Sequence, residues 1–281
     1  MNNYRFKRRL AKIISYTFFS ILAIVTLLPI YMLLINATRS TEAINAGLSL
    51  LPSGSLANNW AIINGFGINI PRGLFNSSII SFSTTFLTVY FSLLTAYSIC
   101  VYNFKYKKLL YGFILAMNMV PMGLYLLGFF QYMHAIGLLN TRLALIIPSV
   151  AAPGAVFFFK QYLDATLVPE LIQAARIDGA SEFGIFNRIA LPIAAPGAFT
   201  MAIFAFVGSW NAFMGPLFII GGDSDLHTLP IIMSRLQGDA FRTDYGAVYL
   251  SMVITLIPIL IVYAIFSKHI ISGIAMGSVK E

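Results

Sequence analysis

The 281-residue sequence contains few charged residues, since Asp, Glu, Lys and Arg make up only 10% of it. An average soluble domain carries about 25% charged residues, so the composition excludes an ordinary soluble globular protein. The single cysteine, Cys100, excludes a disulfide framework and a cysteine-based metal site. The three histidines lie in separate segments, and the sequence contains no Gly-Lys-Ser/Thr phosphate-binding loop. We therefore expect no catalytic residues, no metal site and no cofactor bound by this chain.

Hydrophobic residues, in contrast, make up 58% of the chain, and the mean hydropathy is +0.82. A helix that crosses a bilayer needs about 20 mostly apolar residues, and lipid favours helices because they satisfy their own backbone hydrogen bonds. Six stretches without charge meet this length, the fourth only marginally. They predict an all-α membrane protein that forms one transmembrane domain over residues 1–281. Its six transmembrane helices are expected at about 13–35, 77–101, 109–131, 143–160, 196–220 and 247–267.

The net charge of +8 has a simple explanation in the predicted loops. Thirteen of the eighteen Lys and Arg residues fall on one side of the predicted membrane, while the ten acidic residues divide evenly between the sides. Cytoplasmic loops carry the excess of Lys and Arg. We therefore expect a multi-pass membrane protein with both termini in the cytoplasm, and its basic pI does not require a nucleic-acid partner.

The longest predicted cytoplasmic loop, residues 164–192, has the pattern of two short helices. Pro169 suits the first position of a helix, and Glu170 follows in the first turn, where the helix dipole favours negative charge. Gly179 predicts the end of that helix, and Ser181 is a suitable cap for a second one. The pattern predicts a helix–Gly–helix elbow over residues 170–189. Taken alone, such an elbow is also typical of an amphipathic helix lying on the membrane surface.

The spacing within this loop resembles the EAA loop of binding-protein-dependent ABC importers. Ala174-Ala175, Gly179, Ile189 and Leu191-Pro192 stand at the spacing of that motif, whereas Gln173 occupies the position of the family's Glu. The resemblance implies the type I ABC importer permease fold, with the elbow as a coupling helix that docks on a cytoplasmic ATPase. The coupling residues it implies are Glu170, Gln173, Ala174, Ala175, Asp178, Gly179 and Glu182.

Other segments are similar to the carbohydrate branch of these permeases, the maltose-type inner-membrane subunit in particular. These segments are Trp210-Asn211-Ala212-Phe213, Thr228-Leu229-Pro230 and a Gly-x-x-x-Gly-x-Val-Lys ending at Lys280, with Ala212 standing where the branch has an acid. The resemblance implies that the tail contacts the ATPase through Gly277, Ser278, Val279 and Lys280. It also implies that an extracytoplasmic binding protein contacts His227, Thr228, Leu229 and Pro230.

Candidates for a translocation path are polar or amphipathic residues in or beside the predicted spans. A buried polar group in a membrane bundle needs a partner or a wet cavity. The candidates are Asn118, Gln131, Ser209, Trp210 and Asn211. Aromatic rings such as that of Trp210 also commonly pack between helices or mark the membrane interface, and both interpretations remain open.

Together these features predict a permease subunit of an ATP-driven sugar or oligosaccharide importer in a bacterial cytoplasmic membrane. The resemblance implies four partners besides lipid: a second homologous permease, a dimer of ATPase subunits that binds ATP and Mg, a solute-binding protein and the sugar. The subunit would move substrate by alternating access and would not itself be an enzyme. The alternatives are a permease for a non-sugar or anionic oligosaccharide solute and a membrane scaffold protein.

Overall fold

The computed structural model describes residues 2–65, 67–236 and 243–277. Within these ranges every regular element is helical. Contacts divide the chain into two units, which are described separately. The first comprises Met1–Ile68 and Met233–Ile257, and the second comprises Asn69–Ile232 and Pro258–Glu281.

The first unit contains helices α1 (Asn2–Asn36), α2 (Thr41–Asn45), α3 (Leu56–Gly65) and the first part of the long last helix, Tyr245–Gly277. Polar groups hold its interior together. The amide of Asn59, which is 1% exposed, donates to the backbone oxygens of Ala37 at 2.9 Å and Arg39 at 3.0 Å. A buried side-chain amide that pairs with two backbone carbonyls satisfies groups that the surrounding chain would otherwise leave unpaired.

The second unit is built around α4, which spans Ile70–Val101. Asn69 caps this helix by accepting a hydrogen bond from the Arg72 backbone N–H at 3.0 Å, and Pro71 suits the first turn. The helices that follow are α5 (Lys107–Asn118), α6 (Met122–Ala135), α7 (Leu143–Ile146), α8 (Pro153–Thr166), α9 (Pro169–Ile177), α10 (Glu182–Ile185), α11 (Leu191–Ile193), α12 (Ala195–Trp210), α13 (Met214–Ile220) and α14 (Leu229–Ser234). The last helix of the chain, Tyr245–Gly277, is α15.

A buried apolar cluster joins α4 to α8 and to the segment that follows α9. Its large side chains include Leu93 and Tyr97 of α4, Phe159 of α8 and Phe186, each at most 1% exposed. Burial of side chains of this size stabilises a fold by about 1.5–3 kcal/mol each. The cluster therefore fixes the position of the loop over residues 164–192 against the long helix α4.

Three of the predicted spans are interrupted. The span expected over 143–160 is divided between α7, a 3₁₀ turn over Ile147–Val150 and α8. The expected continuous span over 109–131 consists of α5 and α6, with a break before Pro121, and that over 196–220 consists of α12 and α13. Proline lacks an amide hydrogen and restricts the preceding residue. This explains the break at Pro121, and Pro216, in the first turn of α13, opposes a helix running through residue 212 in the same way.

Four helices in the described part of the chain are long and apolar enough to cross a membrane. They are Arg8–Asn36, Ile70–Val101, Leu143–Thr166 and Tyr245–Phe266. The pair Glu182–Ile193 and Ala195–Trp210 passes the same test together, although it bends by 79° at its break. The count of six spans therefore stays a prediction.

Candidate functional site

The first arm of the elbow is α9. It begins at Pro169, which stands in the first turn, and Glu170 lies in that same turn. The N-cap residue, Val168, has an extended backbone and provides no side-chain cap. Proline tolerates this position because its missing N–H would have no partner inside the helix. The predicted start of the first helix is confirmed.

The turn between the arms is a Schellman motif closed by Gly179. Its backbone φ is +78°, in the left-handed region that favours glycine. The N–H of Gly179 donates to the oxygen of Arg176 at 3.1 Å, and that of Ala180 donates to the oxygen of Ala175 at 3.0 Å. These two bonds satisfy carbonyls at the end of α9. The predicted break at Gly179 is confirmed, with a defined hydrogen-bonded geometry.

The second arm begins at Ser181, whose Oγ accepts a hydrogen bond from the Gly184 backbone N–H at 3.2 Å. The predicted cap is thus confirmed. After α10 the backbone widens into a π-helical segment, Phe186–Ala190, before α11. Phe186 and Ala190 are both buried there. Short π-helical segments frequently occur at functional sites, and no pattern in the sequence predicted this one.

The first arm has a buried face and an open face. Ile172 and Ala175, one turn apart, point inward and are 2% and 9% exposed, whereas Ile177 is 87% exposed. The open face carries Glu170, Leu171, Gln173, Ala174, Ile177 and Asp178. Ala174 and Ala175, although adjacent, do not share the open face, because Ala175 is buried. Consecutive helical residues point about 100° apart, so only Ala174 lies on the open face.

Glu182 at the start of the second arm is engaged by two side chains of its own chain. The guanidinium of Arg176 donates to its carboxylate from Nε at 2.7 Å and from Nη2 at 3.1 Å, and the Tyr102 hydroxyl donates at 2.5 Å. The hydrogen bonds from Arg176, and then from Tyr102, hold the pKa of Glu182 below its ordinary value. Burial, followed by the bond to Glu182, raises the pKa of Tyr102 to about 12.

Arg176 and Tyr102 were not among the residues predicted for this site. Tyr102 lies 80 residues before Glu182, so no local spacing rule connects them. The opposite charges of Arg176 and Glu182, which lie six residues apart across a predicted turn, were the one sequence feature that could have indicated a contact at this site. Glu182 therefore has a role inside the chain, in addition to any contact with a partner.

The predicted contact residues for a binding protein are mostly buried in the second unit. His227, Thr228 and Leu229 are 2%, 4% and 0% exposed, and Pro230 is half-buried. The imidazole Nε2 of His227 lies 3.1 Å from the Gly221 oxygen, and the Leu229 N–H donates to the Ser77 hydroxyl at 2.9 Å. The backbone oxygen of His227 and the backbone N–H of Leu229 join this loop to Asn76 and Ser77 of α4, and the exposed residues beside it are Ser224 and Asp225. The contact with a binding protein stays a prediction.

The remaining candidates are placed as follows. Trp210 is 1% exposed and stacks on Phe206 with ring centroids 5.4 Å apart, so it packs inside its unit. Asn118, Gln131 and Asn211 are exposed and Ser209 is half-buried. Gly277 ends α15, whereas Ser278, Val279 and Lys280 lie outside the described residues. The roles assigned to these positions stay predictions.

The apolar helices define a polytopic membrane protein with a structured elbow in one of its loops. The profile of the family described as "Binding-protein-dependent transport system inner membrane component" matches residues 88–275. The chain belongs to this family, and it is therefore a permease component of a transport system, as the sequence predicted.

Similar proteins agree with this assignment. The arabinooligosaccharides transport system permease protein AraQ of Bacillus subtilis is 33% identical over 94% of each chain. The trehalose/maltose transport system permease protein MalG of Thermococcus litoralis is 31% identical over 92% of this chain and 94% of its own. A chain in a crystal structure of a bacterial ABC transporter that imports the acidic polysaccharide alginate matches with a TM-score of 0.77 and 19% identity. That match covers 92% of this chain and 96% of the other, and it confirms the predicted all-α permease fold.

Proposed function

We propose that this chain is one permease subunit of an ATP-driven importer for a sugar or oligosaccharide in a bacterial cytoplasmic membrane. The family assignment supports the transport role, and the names of AraQ and MalG support the sugar class. ATP and Mg belong to a dimer of cytoplasmic ATPase subunits, and a second homologous permease completes the membrane part. A solute-binding protein delivers the substrate on the outer side, and both termini lie in the cytoplasm.

The observation that carries this proposal is the exposed apolar surface of the elbow. Ile177 is 87% exposed and Phe183 is 67% exposed, although both lie on short helices that are fixed by buried neighbours. Exposed apolar residues held on rigid elements are typical of protein interfaces. Their position in the predicted cytoplasmic loop fits an ATPase groove, and Glu170 and Asp178 add polar contacts at the rim of the same face.

The proposed mechanism is alternating access driven through this elbow. Closure of the ATPase dimer displaces α9, and buried contacts of Ile172 and Ala175 pass the displacement to α4 and α8. Packed helices move as bodies between a small number of arrangements. The ATPase shifts the equilibrium between inward-facing and outward-facing states because it binds them with different free energies.

The experiment measures substrate uptake by the complete importer reconstituted in proteoliposomes. ATP is supplied on the side of the membrane that carries the ATPase. We expect ATP-dependent accumulation of a neutral labelled oligosaccharide when the binding protein is supplied. Ile177→Ser is expected to reduce uptake strongly, whereas Leu48→Ser, at a 92% exposed position in the predicted outer segment, serves as the matched control. Accumulation of an acidic oligosaccharide alone would favour the alternative of a permease for anionic solutes, and the absence of ATP-dependent uptake of any solute would favour a scaffold.

A further inference from the structure

One aromatic residue at the end of α4 contacts both arms of the elbow. Tyr102 is the first residue after α4, and its backbone is extended there, with φ −93° and ψ 146°. Its hydroxyl donates to the carboxylate of Glu182 in the second arm, and its ring lies 5.6 Å from the guanidinium carbon of Arg176 in the first arm. Because Arg176 also pairs with Glu182, the three side chains form a closed set of contacts.

The position of Tyr102 is fixed from within the second unit. Its ring meets that of Tyr97 edge to face, with centroids 6.1 Å apart, and Tyr97 is 1% exposed. Tyr97 in turn packs against Phe186, the first residue of the π-helical segment, at 5.4 Å. On the open side the ammonium of Lys107 donates to the Tyr102 backbone oxygen at 3.1 Å. Tyr102 is therefore held by α4, by the buried cluster and by α5.

We propose that Tyr102, Arg176 and Glu182 form a clamp that makes the two arms of the elbow and α4 move as one body. This inference rests on the proposed function, since it describes how motion of the elbow reaches the spans. The residues are positioning residues: they act by fixing the elbow, and substrate and nucleotide bind elsewhere. Without the clamp the arms meet through the Schellman turn at Gly179, and α9 is seated on the unit by Ile172 and Ala175.

The side chains of the clamp are partly exposed, so substitutions there are expected to change the motion of the elbow more than the stability of the fold. The side chains of Arg176 and Glu182 are 37% and 46% exposed. Exposed ion pairs contribute little to stability, because water and salt screen them. The large buried residues around Phe186 are untouched by substitutions in the clamp. Variants of the clamp are therefore expected to fold and assemble while the elbow becomes looser.

The experiment measures ATP hydrolysis and substrate uptake in the same proteoliposomes, with the complete importer. Tyr102→Phe removes only the hydroxyl, Glu182→Gln removes the charge, and Arg176→Lys keeps the charge but loses the two-pronged contact with the carboxylate. We expect each to lower the number of substrate molecules moved per ATP by about three- to tenfold, with normal subunit composition. Tyr106→Phe, at a 61% exposed position near Tyr102, is the matched control.

Two further variants test whether the residues act together. The double variant Tyr102→Phe/Glu182→Gln is expected to transport no worse than the poorer single variant, because both changes break the same contact. Exchange of the charges in Arg176→Glu/Glu182→Arg is expected to recover part of the transport per ATP that Arg176→Glu alone loses. Independent, additive losses would contradict a shared clamp.

The outcomes distinguish this inference from the function on which it rests. If the unaltered complex fails to transport, the proposed function fails. If the unaltered complex transports substrate and the three single variants have the same ratio of uptake to ATP hydrolysis, the proposal of a clamp is overturned. Loss of ATPase subunits from the purified variants would also overturn it, because the residues would then act in docking or folding. A lowered ratio in an intact complex supports the clamp.

Discussion

Asn76 of α4 accepts two hydrogen bonds from the guanidinium of Arg142, from Nε at 3.0 Å and from Nη2 at 2.7 Å. Its amide nitrogen donates to the backbone oxygens of Asp225 at 2.8 Å and His227 at 3.0 Å. Asn76 is fully buried. We call Asn76, Arg142 and these two carbonyls the loop latch, because they fix the segment before α14 to α4.

Replacement of Asn76 is predicted to destabilise the protein. Asn76→Ala would remove this partner from the buried His227 carbonyl and from the guanidinium of Arg142, whereas the Asp225 carbonyl keeps its bond from Arg72 Nε. An unsatisfied buried polar group costs about 1–3 kcal/mol. We expect a lower unfolding temperature for the purified complex. Asn103→Ala, at an exposed position, is the control and is expected to change it little. An unchanged unfolding temperature in Asn76→Ala would contradict the importance of the latch.

Gly246 in α15 is predicted to tolerate no side chain. A β-carbon there would lie 2.5 Å from the backbone oxygen of Arg39 and 2.6 Å from Oδ1 of Asn59. Real β-carbons do not approach so closely, so Gly246→Ala must displace the amide of Asn59 or the backbone of residue 39. We expect about 1–3 kcal/mol of destabilisation from overpacking, seen as reduced folded protein in membranes. Gly208→Ala is the matched control because its β-carbon would meet nothing within 4 Å, and equal yields from both variants would refute the prediction.

Substitutions at Gly179 change the backbone of the elbow's turn without changing the packing around it. A β-carbon at this position meets nothing within 4 Å, but the backbone φ is +78°. The strain on another residue is therefore conformational, about 1–2 kcal/mol. We predict that Gly179→Val uncouples ATP hydrolysis from uptake without preventing membrane insertion. Gly179→Asn is expected to transport better than Gly179→Val, because asparagine tolerates this conformation. Normal uptake by Gly179→Val would show that the turn can be reshaped without loss of coupling.

The clamp is predicted to weaken in acid. Hydrogen bonds from Arg176 and Tyr102 hold the pKa of Glu182 below its ordinary value. Its contribution to stability is therefore complete above the ordinary carboxylate pKa of about 4.3 and is lost as the pH falls through the lowered pKa. Because the pair is exposed, the difference in unfolding temperature between the unaltered complex and Glu182→Gln is expected to be small, constant from pH 6 to 8 and smaller in acid. A difference that grows in acid would contradict the assigned contacts.

At high pH the contribution of the clamp to stability is expected to fall as the pH rises, because Tyr102 is held in its protonated form. Burial, then the bond to Glu182, raises its pKa to about 12. The contribution of the neutral hydroxyl is complete below the ordinary tyrosine pKa of about 10 and is lost as the pH rises through about 12. Tyr102→Phe should therefore remove the part of the loss of stability at high pH that comes from Tyr102. The part that comes from the deprotonation of lysines should remain.

The sequence predicted those features that depend on neighbouring residues. Pro169, Gly179 and Ser181 obey local rules for starting, ending and capping helices, and the structure confirms all three. Ala175 is buried and Ala174 is exposed because one side of α9 meets the buried cluster. The sequence could not predict which side this is, because apolar residues lie on both sides of the helix. Here tertiary packing determined the face.

Contacts between distant segments could not be predicted. Asn76 and His227 are 151 residues apart, and Tyr102 and Glu182 are 80 apart. The Thr228-Leu229-Pro230 segment was expected to contact a binding protein, yet its leucine is fully buried, and the leucine's backbone N–H donates to the Ser77 hydroxyl. Both sets of contacts end on α4, near its first turns and immediately after its last residue. This arrangement follows from the fold and not from a local pattern.

Photo-crosslinking in the complete importer tests most directly whether the elbow rests on an ATPase. A benzophenone amino acid is placed at residue 177, on the open face of α9, or at residue 48, in the segment 36–76 that the predicted spans place outside. Residue 177 is predicted to crosslink to the ATPase subunit in a nucleotide-dependent manner, and residue 48 is not. Crosslinks to the ATPase from residue 48, or to lipid alone from residue 177, would contradict this prediction.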